Sequence, residues 1–183
     1  MPGFELIGKE ERNAVNEIFD SNSLFYNGKR VKSFERQFAD YIGVDYAVAV
    51  SSGTAAIKTA LIAAGVKPGD EVITQAFTFI ATAEAIVDVG ATPIIVNIDD
   101  TLNMDVDEFK QAITPKTKAV IPVDMLGVST EVDQINIIAK ENKLIVIDDC
   151  CEALGADWGD EKLGAQFDLC AFSFDNGKTI TTG

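Results

Sequence analysis

Short runs of valine, isoleucine and alanine recur along the chain: "YAVAV" at 46–50, "EVIT" at 71–74, "TPIIVNI" at 92–98, "KAVIPV" at 118–123, "KLIVIDD" at 143–149 and "LCAFSF" at 169–174. Continuous apolar runs of this kind mark strands covered on both faces, as in a parallel sheet. Longer segments with helical spacing separate them. "TAAIKTALIAAG" predicts a helix stopped by Gly65, and "STEVDQINIIAKENK" predicts one capped by Ser129 or Thr130. The Pro-Gly-Asp of "VKPGDE" has the chemistry of a tight turn leading into the second strand. Strands alternating with crossover helices predict an α/β fold. Residues 1–30 differ: an amphipathic helix, "KEERNAVNEIFDS", precedes a polar loop, "NSLFYNGKRV", and together they read as an arm ahead of one domain over 31–183.

Composition narrows the function. A chain of 183 residues, 47% hydrophobic, buries the core of one domain and is too short for two typical ones. Its net charge of -14 opposes a nucleic-acid or anionic-membrane partner, because either requires a basic face. There is no histidine, which removes histidine bases, Ser-His-Asp triads and histidine-ligated metals, and no metal site is expected. Cys150, Cys151 and Cys170 are odd in number and two are adjacent, which fits reduced thiols and a cytoplasmic location. The amino terminus lacks the pattern of a secretory signal, and no apolar run approaches the roughly 20 residues of a membrane span.

In open parallel sheets, ligands collect beyond the carboxyl ends of the strands. Ser51-Ser52-Gly53-Thr54 follows the first run, "QAFTF" follows the second, Asp148 and Asp149 end the fifth, and Ser173 and Lys178 follow the sixth. A glycine and hydroxyls entering a helix suit a phosphate, although alone they read as an ordinary cap. Two acids at a strand end fit a magnesium pair, a cationic-cofactor partner or a solvated end. "GKT" at 177–179 is not a phosphate loop, since the position that requires glycine five residues earlier holds Phe172.

"FERQFADYIGVDYAVAVSSGTAAI", "TFIATAEAI", "VIDDCCEALGA" and "FSFDNGKTITTG" resemble, in this order and spacing, the successive motifs of the DegT/StrS-type aminotransferases, and the resemblance covers nearly the whole chain. It implies a fold type I aminotransferase large domain: a mostly parallel sheet in an α/β/α sandwich, truncated after the cofactor lysine, with the C-terminal small domain absent. The implied cofactor is pyridoxal 5'-phosphate. By position in the motifs, Lys178 attaches to the cofactor aldehyde and moves the substrate proton, and Asp149 holds the ring nitrogen. Gly53, Thr54 and Ser173 hold the phosphate, and Phe79 stacks on the ring. Asp148 is the structural neighbour of Asp149.

The resemblance further implies a keto-sugar substrate, nucleotide-linked or a sugar acid, with glutamate as amino donor. Its setting is cell-surface polysaccharide synthesis, including lipopolysaccharide. The expected assembly is a homodimer with shared sites, and the 183 residues alone are expected to be inactive. A non-catalytic regulatory or assembly protein on the same fold is the alternative, which the intact residue set disfavours. Some residues depart from the family pattern. Glu152 stands where glutamine is usual, near the cofactor's phenolic oxygen, Gln75 replaces a common proline, and Asp124 replaces a common histidine. The last two are expected to bear on substrate preference.

Overall fold

The computed structural model describes residues 3–20 and 28–182. The arm loop expected around 22–31 lies mostly outside them. Helix α1 (Lys9–Asp20) is the expected amphipathic helix, and α2 (Lys29–Ile42) begins just inside the boundary expected at residue 30. The domain then runs through α3 (Gly53–Ala63), β1 (Glu71–Gln75), α4 (Ile80–Asp88), β2 (Thr92–Val96), α5 (Val106–Ala112), β3 (Thr117–Ile121), α6 (Val132–Asn142) and β4 (Ile145–Asp149). A small antiparallel hairpin, β5 (Asp157–Trp158) with β6 (Glu161–Lys162), precedes β7 (Leu169–Ala171).

Five strands form one parallel sheet in the order β2-β1-β3-β4-β7. Strand residues alternate between its faces. Val72, Ala119, Ile121 and Ile147 pack with Ile57 and Leu61 of α3 and Ala85 and Ile86 of α4. Ile73, Val120 and Val146 pack with Phe109 of α5 and Ile135 and Ile138 of α6. The sheet is therefore buried on both sides, which is why its strands read as continuous apolar runs. It also places Asp148 and Asp149 on opposite faces.

Helix α3 ends as its glycine predicts. Gly65 adopts φ +77, its N–H bonds to the Ile62 carbonyl, and the Val66 N–H bonds to that of Leu61, closing the last turn. The cap expected for α6 does not form. The residue before the helix is Glu131, with no side-chain cap, while Ser129 Oγ donates to the Thr130 carbonyl and Thr130 Oγ1 is buried without a partner. Thr130 instead donates its backbone N–H to Asp124 at 2.8 Å, and that bond decides how the chain enters the helix.

The run "YAVAV" corrects a second expectation, because it belongs to no sheet among the described residues. Tyr46, Val48 and Val50 are 87%, 75% and 41% exposed. Its β-favouring composition has no neighbouring strand to pair with, and the Ala49 N–H is satisfied by the Glu35 carboxylate at 2.9 Å. Helix α2 is anchored differently. Phe34, Phe38 and Tyr41 follow one another along one side, and Phe38 meets Phe172 and Phe174 edge-on at centroid separations of 5.0 and 5.3 Å. That contact fixes the chain leaving β7, on which Ser173 and Lys178 lie.

Candidate functional site

Four segments converge at the carboxyl edge of the sheet: the start of α3, the turn after β4, the start of α4 and the chain after β7. Ser52 caps α3 by accepting the Ala55 N–H at 3.1 Å, which leaves Gly53 as its first residue. A Cβ on Gly53 would lie 3.0 Å from Ser173 Cβ and 3.1 Å from Cys151 Sγ. Such separations are tighter than nearly all real side-chain contacts, and a Cβ here would force Ser173 or Cys151 to give by a few tenths of an ångström, so the approach of three chain segments favours glycine. The same approach brings a helix amino terminus, with its free N–H groups and positive dipole end, against the Ser173 hydroxyl.

Asp149 ends β4 and is 3% exposed. Its carboxylate accepts the Thr82 hydroxyl at 2.7 Å and the Cys151 N–H at 3.2 Å. Thr82 is completely buried and lies 2.9 Å from the Thr78 hydroxyl. The order Thr78 to Thr82 to Asp149 orients one carboxylate oxygen by a chain of donors. The Asp149 backbone is held as well, its N–H donating to the Pro122 carbonyl and its own carbonyl accepting from Asp124.

Lys178 sits in a turn closed by its N–H to the Asp175 carbonyl, and its Nζ lies 3.6 Å from Glu152 Oε1. Both side chains are about one-quarter to one-third exposed, so the pair is weakly screened at the mouth of the site. The Lys178 charge also acts on Cys151, whose thiol burial pushes well above the ordinary range. Cys151 is therefore an uncharged wall beside Gly53.

Two expected residues stand apart. Phe79 precedes α4 and is 68% exposed. Thr54 lines a shallow groove of about 370 Å³ between α3 and α4 with Ile80, Ala83 and Glu84, and neither Asp149, Ser173 nor Lys178 borders it. Its lining carries no group poised for the chemistry of Asp149 and Lys178. Gln75 and Asp124 are fully buried, so neither meets a ligand directly. Gln75 receives the Val123 N–H and donates to the Phe77 and Leu102 carbonyls, tying together the loops after β1 and β3.

Sequence reasoning passed over Thr82 and Cys151. Thr82 lies within "TFIATAEAI", four residues after Thr78, and that spacing of hydroxyls on one helix face was the available signal. Cys151 had none, because the Gly53 it meets belongs to a distant segment of the chain.

Deeper in the same edge, Asp124, Asp148 and Cys150 are all completely buried. Burial pushes the Asp124 carboxyl up to about 6 against the opposing Thr130 N–H. Burial, then the neighbouring Asp124, raises Asp148 well above the carboxylate range.

Comparison with known proteins identifies the family. GDP-perosamine synthase of Caulobacter vibrioides is 42% identical over 174 residues, covering 94% of this chain and 47% of that protein. Among solved structures, an aminotransferase from Psychrobacter cryohalolentis superposes with a TM-score of 0.93 at 34% identity, over 97% of this chain and 45% of that one. The PLP-form of a putative sugar aminotransferase from Streptococcus pneumoniae superposes with a TM-score of 0.92 at 32% identity, covering 96% and 48%. The chain thus spans about half the length of the relatives it matches. Residues 5–183 match the profile of the DegT/DnrJ/EryC1/StrS aminotransferase family, and the chain belongs to that family.

Proposed function

We propose that this chain forms the cofactor-binding half of a pyridoxal-phosphate-dependent aminotransferase that transfers an amino group, from glutamate, to a keto-sugar. The observation that carries the reading is the approach of Gly53 to Ser173 and Cys151 beside the buried Asp149 carboxylate and the Lys178 amine. A phosphorylated, cationic ring with an aldehyde matches these donors: helix N–H groups and hydroxyls for the phosphate, a carboxylate for the ring nitrogen and an amine for the aldehyde. When bound, pyridoxal phosphate supplies an electron-withdrawing ring that acidifies the substrate carbon bearing nitrogen.

This chain's residues do the rest. Asp149, oriented by Thr82 and the Cys151 N–H, keeps a proton on the ring nitrogen. Gly53 and Ser173, which meet at the start of α3, would hold the phosphate together with Thr54, the next residue of that helix, and the exposed Phe79 would supply a face for the ring. Lys178 Nζ takes the proton from the substrate carbon and returns it, as a positioned base and acid. Glu152, 3.6 Å away, provides the countercharge when Nζ is protonated.

Similarity to GDP-perosamine synthase supports a nucleotide-linked keto-sugar, and similarity to a spore coat polysaccharide biosynthesis protein of Bacillus subtilis supports a setting in surface-polysaccharide synthesis. Unpaired thiols on all three cysteines suit a reducing cytoplasm. Among the described residues no helix is long and apolar enough to cross a membrane. The unpaired, exposed run 46–50 supports a homodimer or a longer chain that covers it. A non-catalytic protein has no use for a lysine and a buried carboxylate at one glycine-lined edge.

Borohydride reduction of the cofactor-loaded protein followed by peptide mapping tests the reading. The label is expected on Lys178; on any other lysine, such as Lys162, it overturns the assignment.

A further inference from the structure

Asp148 is the neighbour of Asp149 on the opposite face of β4, and its surroundings pose a charge problem. Cys150 Sγ lies 3.1 Å from Asp148 Oδ2 and 3.5 Å from Asp124 Oδ2. Asp124 Oδ1 receives the Thr130 N–H, whereas Asp148 Oδ1 is fully buried and has no partner. A thiol carries one hydrogen, so it satisfies one of the two carboxyl groups and not both. The other titratable groups facing Asp148 are Asp149 and Cys170, its register partner on β7, and neither brings positive charge. None of the salt bridges among the described residues includes Asp148 or Asp124. A buried carboxylate with a bare oxygen and two acidic neighbours is strongly disfavoured as an anion.

We propose that Asp148 is held as the neutral acid. Its hydroxyl donates to Cys150 Sγ, and the thiol hydrogen in turn serves Asp124 Oδ2, so one added proton leaves the relay with a single negative charge, on Asp124. Asp148 thereby acts as a positioning residue: it keeps a further negative charge, beyond that of Asp124, away from Asp149. That consequence rests on the proposed cofactor role of Asp149, whereas the trapped proton does not. A divalent cation on the same three side chains, whose ligand atoms lie within 4.8 Å of one another, is the competing way to neutralise them. The 3.1 and 3.5 Å sulfur–oxygen separations are those of thiol hydrogen bonds, and they favour the proton.

Infrared spectroscopy of the cofactor-loaded protein carrying carbonyl-labelled aspartate reads the proton directly. At pH 8 a neutral-carboxyl stretch is expected. It is lost in Asp148→Asn and shifted in Cys150→Ser, where the acceptor changes from sulfur to oxygen. Denaturant titration gives a second reading, because a group that binds its proton only in the native state makes stability fall with pH. The unfolding constant of the wild type relative to Asp148→Asn should rise by about tenfold per pH unit between pH 5 and 8. The proposal is overturned by absence of the band in the wild type, by a band untouched in both variants, by a pH-independent ratio, or by a stoichiometric divalent metal in the purified protein. If Asp148→Asn does not fold, the wild-type band and its Cys150→Ser shift still decide. None of these readouts depends on transaminase activity or on which lysine is labelled, so failure here is distinct from failure of the functional reading.

Discussion

Replacing Gly53 by alanine tests whether the approach of α3 to the β7 strand end builds the phosphate site. The new Cβ would meet Ser173 Cβ at 3.0 Å, Cys151 Sγ at 3.1 Å and Ser173 Oγ at 3.3 Å. Optimal carbon contacts lie near 3.5–4.0 Å, so the first overlap is about half an ångström or more. Ser173 and Cys151 belong to different segments, and no single shift relieves both. Overpacking of this kind costs about 1–3 kcal/mol. Alanine's better helix propensity, about 1 kcal/mol in a helix interior, offsets only part of that at the first residue of α3, which leaves a net loss centred on about 1–2 kcal/mol. If that strain falls on the bound state, cofactor affinity drops about five- to thirtyfold, at 1.4 kcal/mol per decade. The assay is spectroscopic titration of cofactor-stripped protein with pyridoxal phosphate, with melting curves alongside to register any loss of fold. Adding Cys151→Ala removes the sulfur contact and should restore part of the affinity. Wild-type affinity in Gly53→Ala, or no recovery in the double variant, would show that the close approach does not shape the site.

Asp149→Asn should retain cofactor but lower amino transfer by several orders of magnitude, measured as single-turnover kinetics; damage from Asp148→Asn with a harmless Asp149→Asn would mean the register is off by one. Asp124→Asn should remove a pH dependence of stability. Burial holds the folded carboxyl at about 6, above its unfolded value near 3.9, so the native state binds the extra proton and the contribution of Asp124 to stability falls as pH rises from about 4 to about 6, by roughly 3 kcal/mol, and is lost above that. Urea midpoints across that window, sloping less steeply in the variant than in the wild type because Asp148 still holds its proton, check this. Mixing full-length Lys178→Ala with a variant disabled only in a partner-contributed loop should return activity through one restored site per mixed dimer; proven exchange without recovery argues against shared sites.

Local pattern determined much of this protein. The continuous apolar runs at 71–75, 92–96, 117–121, 145–149 and 169–171 became the five parallel strands, because a strand covered on both faces has no polar side to reveal. The same logic placed Asp149, Ser173 and Lys178 at the carboxyl edge of the sheet. The motif resemblance named the candidate chemistry before any contact was visible. "YAVAV" shows where that reasoning stops: its pattern is as strand-like as the others, but a strand forms only where a neighbour takes its backbone hydrogen bonds. The α6 cap failed for a related reason, since Thr130 spends its N–H on a buried carboxylate six residues away. Tertiary structure alone decided the partnerships. Thr82 reaches Asp149 across 67 residues of sequence, and Gln75 reaches Val123 across 48. Asp124 joins Asp148 and Cys150 only because β3 and β4 lie side by side. Periodicity records whether a position is buried; the strand order and the register decide what it is buried against, and the charge state of a buried acid depends on that neighbour.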